Sequence, residues 1–346
     1  MKAKFKTTYI LFLLFSIMLN GIKYASPFTA TKSKIDLDFK NEYIGDLDYT
    51  KYSFLIDDLN DNSVLKRNQP EDEYHIYGKN NWFFRISSFE KDILEAKRII
   101  TKEWLESTTS KMSVLNKLCK EHDKTLCFIM LPWKDLVYDE YLPDNKFIKY
   151  DTSNDIDKFV KFVKDNSDVP ILYPINELKQ AKQYARIYYT HDSHYNKIGA
   201  FIVFQNIYHQ LGFKTTKLSE LQIKKNYDTS SHYGEFDYDL SYTGNGNLLN
   251  EEINGPDIAN SSSMISTSTS NVNKKVAIVG DSYRFWIYDY MKADFSKTIN
   301  INKGTLGGSL QKELIRESDY IIVESVTDTY WQLPQVIDNL INFLNI

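Results

Sequence analysis

The stretch that decides the fold is Lys274-Lys275-Val276-Ala277-Ile278-Val279-Gly280-Asp281-Ser282-Tyr283. Four consecutive apolar residues, 276–279, are typical of a strand that is buried on both faces of a parallel sheet. Gly280 permits a sharp turn, and a helix is predicted to begin near Arg284. Ser282 is therefore expected at the sheet edge, close to backbone N–H groups at a helix N-terminus, where a tetrahedral oxyanion is stabilised. Gly-Asp-Ser alone is a weak motif, because an ordinary turn with a helix cap has the same sequence.

A second polar segment lies well upstream and reads Tyr188-Tyr189-Thr190-His191-Asp192-Ser193-His194-Tyr195-Asn196. Side chains two residues apart in an extended chain point the same way. The Asp192 carboxylate can then orient the His194 imidazole, which can take the proton of Ser282, so the three residues supply a Ser-His-Asp triad. The alternative is a solvated polar loop, and a metal site at this segment lacks the usual ligand spacing. We expect no metal or other cofactor.

Strands and helices are predicted to alternate along the body of the chain. This pattern favours an α/β fold in which a mostly parallel sheet is flanked by helices on both faces. A segment rich in Ser, Asn and Thr, residues 254–274, is predicted to be a mobile loop. The predicted strands are 82–84, 126–131, 169–173, 187–189, 276–279, 298–301 and 320–323, and the predicted helices lie within 89–119 and at 154–166, 196–211, 285–291, 310–316 and 332–344.

The composition narrows the function classes. The chain has 346 residues and a formal net charge of −4. Proteins that bind nucleic acid usually carry a clustered basic face, so this charge does not suggest that the protein binds nucleic acid. Hydrophobic residues make up 42% of the chain, enough for a sizeable core. Its two cysteines, Cys119 and Cys127, are either a disulfide or two buried free thiols.

The N-terminus is predicted to direct export. Lys2, Lys4 and Lys6 precede a short apolar run from 9 to 22, which is typical of an export signal. We expect residues 1–30 to be a signal peptide or an uncleaved signal anchor, and the body to lie outside the cytoplasm, at the cell surface or in the periplasm. Residues 31–73 are expected to form a polar connector, and 74–346 the folded domain.

The motifs together resemble the SGNH-hydrolase-like domain of the alginate O-acetyltransferases, also called the DHHW family. Four blocks match in the family's order and together span residues 77–283, most of the body. Tyr195 and Asn81 depart from the family's tryptophan and glycine. The matching blocks are Tyr77-Gly78-Lys79-Asn80-Asn81-Trp82-Phe83-Phe84, then Phe128 to Lys134 with Val137-Tyr138 and Tyr141-Leu142-Pro143, then Tyr188 to Asn196 with Gly199-Ala200, and Gly280-Asp281-Ser282-Tyr283.

The resemblance implies roles for the residues in these blocks. Ser282 would be the nucleophile, His194 the general base and Asp192 the orienting carboxylate. Lys134 matches the family's lysine beside the site, where its charge would suit an oxyanion or an anionic sugar. Further candidate oxyanion or substrate contacts are Tyr283 and Arg284, which follow the serine, and Gly307, which follows the predicted strand 298–301.

The resemblance also implies partners and an activity. Family members receive acetyl groups from a multi-pass membrane O-acyltransferase and place them on polysaccharide hydroxyls outside the cytoplasm. We therefore expect an O-acetyltransferase of an exported or cell-wall polysaccharide, attached to the membrane by its N-terminal segment. Two alternatives stay open: an esterase that removes acetyl groups with the same triad, and a non-catalytic scaffold that binds polysaccharide.

Overall fold

The computed structural model describes residues 36–60, 75–97, 100–144, 146–148, 151, 153–227, 236–254, 263–270 and 273–345. The chain divides into two compact units, 1–42 and 43–346. Within the first unit, residues 36–42 are helical. The predicted signal or anchor, residues 1–30, lies outside the described residues. No helix among the described residues is long and apolar enough to cross a membrane.

A seven-stranded sheet forms the centre of the second unit. The strands of this sheet are β3 (Thr125–Leu131), β4 (Ile171–Leu172), β7 (Leu248–Asn254), β8 (Ser263–Ser268), β9 (Lys275–Gly280), β10 (Lys297–Asn302) and β11 (Tyr320–Val326). Their order in the sheet is β4-β3-β11-β9-β10-β8-β7. The first five of these strands run parallel, and β8 and β7 complete the sheet antiparallel at one edge. The predicted mostly parallel sheet is therefore confirmed.

Two small antiparallel hairpins accompany the sheet. The first contains the predicted aromatic strand and pairs β1 (His75–Tyr77) with β2 (Phe83–Arg85). The second pairs β5 (Ile223–Tyr227) with β6 (Phe236–Leu240). The first hairpin contacts the segment that contains Asp192 and His194, because the backbone N–H of Phe83 donates to the carbonyl of Thr190 at 3.0 Å.

Helices cover the sheet in two groups. The helices are α1 (Ser53–Asn60), α2 (Ser88–Leu94), α3 (Lys102–Glu121), α4 (Lys134–Val137), α5 (Asp155–Asn166), α6 (Ile175–Ala181), α7 (Lys197–Gln210), α8 (Arg284–Met291), α9 (Ser309–Glu317) and α10 (Leu333–Leu344). One group contains α3, α5, α9 and α10, and the other contains α4, α6, α7 and α8, as their mutual packing shows. Both groups bury apolar side chains, as expected when the strands of a sheet are continuous apolar runs with both faces covered.

Part of the polar segment 254–274 is a strand, so the prediction of a loop throughout it is wrong. Residues 263–268 form β8 and pair with β10. Two serines of this strand are buried with hydroxyls that find partners inside the protein. Ser266 is hydrogen-bonded to the hydroxyl of Tyr288, and Ser268 donates to the carbonyl of Phe295 at 2.8 Å. The polar composition of the segment therefore concealed a buried strand.

The prediction of a strand at 187–189 is also wrong, because the segment forms only a single antiparallel bridge, between Tyr188 and Tyr195. The bridge closes a short loop that contains Asp192 and His194.

The two cysteines are buried free thiols. Burial raises the pKa of each to about 12, which makes both unreactive near neutral pH.

The predicted connector, residues 31–73, includes structured chain. Within the second unit, Leu55 of α1 is fully buried. The hydroxyl of Tyr52 donates to the carbonyl of Leu221 at 3.1 Å, and that of Tyr43 to Asn206 at 3.3 Å. Residues 43–60 thus pack with the body, while the division of the chain at residues 30 and 73 stays a prediction.

Candidate active site

Ser282 lies just beyond the carboxyl end of β9, between the strand and α8. The strand ends at Gly280, where a Cβ atom would lie 2.1 Å from Oε2 of Glu324 on the neighbouring strand. Only glycine permits this close approach of the two strands. Ser282 follows the strand by two residues, and its side chain is exposed.

Asp192 and His194 lie on the loop closed by the Tyr188–Tyr195 bridge. The backbone N–H of Tyr189 donates to the carbonyl of His194 at 3.2 Å, and that of Asn196 to the carbonyl of Ile187 at 3.0 Å. Asn196 then caps α7 by accepting from the backbone N–H of Gly199 at 3.1 Å. The cap and the bridge fix the loop at both ends.

The three predicted residues meet in space although 88 positions of chain separate His194 from Ser282. Nε2 of His194 lies 2.7 Å from Oγ of Ser282, and Nδ1 lies 2.6 Å from Oδ1 of Asp192. The same carboxylate oxygen accepts the backbone N–H of His194 at 2.7 Å. With its ring proton on Nδ1, the imidazole presents Nε2 to the hydroxyl as a proton acceptor. This is the contact pattern that a serine nucleophile and its general base require.

Two aromatic side chains flank the His194 ring. The rings of Tyr283 and Trp286 lie 4.7 Å and 4.8 Å from it, centroid to centroid. Tyr283 is buried, and its hydroxyl donates to the carbonyl of Ser193 at 2.5 Å. The structure therefore corrects the expected substrate contact by Tyr283, whose ring and hydroxyl instead position the loop. Sequence reasoning missed Trp286, although it follows the serine by one helical turn.

Lys134 is fully buried and does not reach the substrate side of the site. Its ammonium donates to the backbone carbonyls of Tyr189, Thr190 and Asp192 at 3.1, 2.9 and 2.8 Å, and also to that of Phe83. The expected contact with an oxyanion or an anionic sugar is corrected accordingly, because these carbonyls occupy its N–H groups. Lys134 holds the backbone of the Asp192 loop and positions the triad from behind.

The other two tentative contacts also lie elsewhere. Arg284 is buried, and its guanidinium donates to the carbonyls of Gly280, at 3.2 Å, and Asp281. Burial lowers the pKa of Arg284 to about 10. Gly307 uses its backbone N–H to donate to Oε1 of Gln311 at 2.9 Å, so this N–H is already paired. Neither residue is brought to Ser282 as a free donor.

A buried polar network fixes Asp281, the residue before Ser282, and sequence reasoning missed it. Oδ2 of Asp281 accepts from Nζ of Lys303 at 3.0 Å, from the backbone N–H of Val326 at 2.9 Å and from the hydroxyl of Thr329 at 3.1 Å. Burial acts to raise the pKa of Asp281, but Lys303 and the hydrogen bonds together hold it below its usual value. The lone basic residue directly after a predicted strand, Lys303, was the only available signal.

Glu324 lies beside this network in the middle of β11. It is fully buried, and its Oε2 accepts the backbone N–H of Asp281 at 2.9 Å. Burial and the nearby Asp281 carboxylate raise the pKa of Glu324 well above its usual value. Glu324 is therefore the neutral member of the pair, and Asp281 carries the charge that Lys303 balances.

Comparisons with known proteins agree with this fold. The sequence matches the family described as "SGNH hydrolase-like domain, acetyltransferase AlgX" over residues 76–295. A comparison with curated proteins gives no match. Among solved structures, Bacillus cereus PatB1 with a sulfonyl adduct is similar, with 13% identity and a TM-score of 0.54 over 73% of this chain and 93% of that one. A DHHW family protein from Eubacterium siraeum has 12% identity and a TM-score of 0.53 over 79% of this chain and 97% of that one.

Proposed function

This chain belongs to the family of the SGNH hydrolase-like domain of acetyltransferase AlgX, and on that basis we propose that it transfers acetyl groups to hydroxyls of an exported or cell-surface polysaccharide. One observation carries the proposal beyond the family: His194 lies within hydrogen-bond distance of both Ser282 and Asp192. A protein that only binds polysaccharide has no need of this arrangement. The proposed mechanism proceeds through an acetyl-serine intermediate.

In the first step, Nε2 of His194 takes the hydroxyl proton as Oγ of Ser282 attacks the carbonyl carbon of an acetyl donor. The Asp192 carboxylate stabilises the imidazolium that forms and holds its orientation. The tetrahedral intermediate then collapses. His194 returns the proton to the departing oxygen of the donor, and the acetyl group remains on Oγ.

The tetrahedral intermediate carries a negative oxygen that needs donors. The backbone N–H of Ser282 sits at the start of α8, where the helix dipole favours negative charge. Within the described part of the chain, no acceptor is hydrogen-bonded to this N–H. We assign it as one oxyanion donor, since it belongs to the residue whose Oγ attacks the donor and precedes the helix N-terminus.

In the second step, a hydroxyl of the polysaccharide replaces the donor. His194 takes the hydroxyl proton, the sugar oxygen attacks the acetyl carbonyl, and the C–O bond to Ser282 breaks. The proton passes to Oγ, which regenerates the hydroxyl. The exposure of Ser282 suits an acceptor that is a long chain, because the ester can be approached from the open edge of the sheet.

We also propose that the protein works outside the cytoplasm and is held at the membrane by residues 1–30. A membrane-bound O-acyltransferase would supply the acetyl groups, since a domain outside the cytoplasm has no access to cytoplasmic donors. The basic residues and the apolar run near the N-terminus support this arrangement. Co-purification of the full chain with such a membrane protein would test the partnership.

The activity is tested with the full chain, an activated acetyl ester and short oligosaccharides. Mass spectrometry follows acetylated sugar and free acetate, and Ser282→Ala is the control. Acetylated sugar that forms with the wild type alone supports the transferase. Free acetate without a sugar product would favour an esterase, and the absence of both products would contradict an enzymatic function.

A further inference from the structure

Trp331 is the only exposed aromatic residue among the side chains that the structure describes, and 57% of its surface is accessible. A single exposed apolar residue is ordinary on a protein surface. What distinguishes Trp331 is its location. It belongs to the 3₁₀ segment Thr327–Gln332, which directly follows the carboxyl end of β11. Ligands of α/β sheets bind at this edge of the sheet.

Hydrogen bonds fix this segment to the nucleophile turn. The hydroxyl of Thr329 donates to Oδ2 of Asp281 at 3.1 Å, and Nζ of Lys303 donates to Thr329 at 2.7 Å. Thr329 is two residues before Trp331, and Asp281 is the residue before Ser282. Two residues of chain span at most about 7 Å. These hydrogen bonds therefore connect the segment that carries Trp331 to the turn that carries Ser282.

Asp328 and Arg85 both lie beside the buried Trp133 ring. Side chains three residues apart lie one above the other in a 3₁₀ helix, so Asp328 is on the face of Trp331. Asp328 accepts Nε1–H of Trp133 at 3.0 Å, and the exposed guanidinium of Arg85 lies 5.8 Å from the Trp133 ring. No hydrogen bond to Arg85 is found among the described residues.

A continuous set of contacts leads from this group to the general base. The Trp133 ring lies 6.3 Å from that of Tyr283, which in turn lies 4.7 Å from that of His194. Asp328 and Arg85 therefore lie at one end of an aromatic row whose other end is His194, and Trp331 shares a helix face with Asp328.

We propose that Trp331, Asp328 and Arg85 form an acceptor subsite that binds a pyranose ring of the polysaccharide, an inference that rests on the proposed function. A pyranose has an apolar C–H face and a rim of hydroxyls. The indole face matches the first, and a carboxylate acceptor with a guanidinium donor matches the second. The opposite charges of Asp328 and Arg85 balance, so the subsite favours an uncharged sugar over a uronate.

Binding is measured by calorimetry with the full chain carrying Ser282→Ala, which excludes turnover. The probes are chitohexaose, cellohexaose and a hexamer of mannuronate. We expect one of the two neutral hexamers to bind, and Trp331→Ala to weaken its Kd at least tenfold, as expected for a central aromatic contact. Trp331→Phe keeps a ring and is expected to weaken binding less. Leu249→Ala removes a side chain that is 65% exposed on β7 and serves as the matched control.

Three outcomes would overturn the subsite: none of the hexamers binds, Trp331→Ala binds as tightly as its parent, or Leu249→Ala weakens binding equally. Tighter binding of the mannuronate hexamer would overturn the preference for a neutral ring. The proposed function fails by a different result, the absence of acetylated sugar from the wild type. Because the binding assay contains no turnover, the two failures are distinguishable.

Discussion

The ion pair between Lys303 and Asp281 offers a direct test of how the turn that carries Ser282 is stabilised. Nζ of Lys303 lies 3.0 Å from Oδ2 of Asp281, and the two side chains are only 3% and 16% exposed. We consider Lys303→Met, which keeps the length of the side chain and removes its charge. The substitution leaves the Asp281 carboxylate buried beside Glu324 without its cation.

A second ion pair, which is exposed to solvent, supplies the control. Lys274 and Asp319 are also separated by 2.9 Å, but their side chains are 50% and 31% exposed. Removal of one partner of a buried pair costs about 3–5 kcal/mol, whereas an exposed pair contributes about 0–1 kcal/mol. We therefore expect Lys303→Met to lower the free energy of unfolding by about 3–5 kcal/mol and Lys274→Met to leave it nearly unchanged.

Urea unfolding followed by circular dichroism measures both values from the shift of the midpoint at constant slope. The pH dependence adds a second check. The pKa of Asp281 is held below its usual value, so the stability it contributes is present above about pH 4 and is lost as the pH falls through the folded-state pKa. The cost of Lys303→Met should shrink below about pH 4. Equal losses from both substitutions at pH 7 would refute the reasoning.

Three further predictions concern the site. Ser282→Ala should abolish acetyl release from an activated ester while the unfolding midpoint stays unchanged, since the side chain is exposed. A variant that releases acetyl at the wild-type rate would exclude Ser282 as the nucleophile. Asp192→Asn should lower kcat/KM for the same ester by about 10²–10⁴-fold through loss of the carboxylate that orients and stabilises the imidazolium, and a loss below tenfold would make Asp192 a mere loop residue. Glu324→Gln should cost less than about 1 kcal/mol at pH 7, because the raised pKa leaves Glu324 neutral. A carboxyl whose folded-state pKa is raised makes the free energy of unfolding fall as the pH rises above about 4.3, by up to about 1.4 kcal/mol per pH unit. Glu324→Gln should therefore reduce the dependence of the free energy of unfolding on pH, measured by urea titrations. An unchanged dependence would show that Glu324 is ionised.

The central part of the fold was predictable because its signals are local. The apolar run 276–279 is buried on both faces, and this requirement alone identifies a central strand of a parallel sheet. β8 escaped prediction because its burial depends on partners distant in the chain, the hydroxyl of Tyr288 and the carbonyl of Phe295. A polar strand of this kind looks like a loop until its partners are known.

The candidate triad was predictable for a similar reason, since Ser282 closely follows the end of the apolar strand β9 and Asp192 precedes His194 by two residues. The surroundings were not. Lys134 follows a strand end as predicted, but sequence does not tell which way a side chain turns, and its ammonium points to buried carbonyls. Lys303 acquires its role only when β10 and β9 lie side by side.

The most direct test of the central claim is to identify the acetylated residue during turnover. The full chain is mixed with an activated acetyl ester, quenched within the first turnover and digested for mass spectrometry, and a parallel sample receives an oligosaccharide before the quench. The account predicts one acetyl group on Ser282 that disappears as acetylated sugar forms. Acetylated sugar that forms without any acetyl group on Ser282, or with Ser282→Ala, would contradict it.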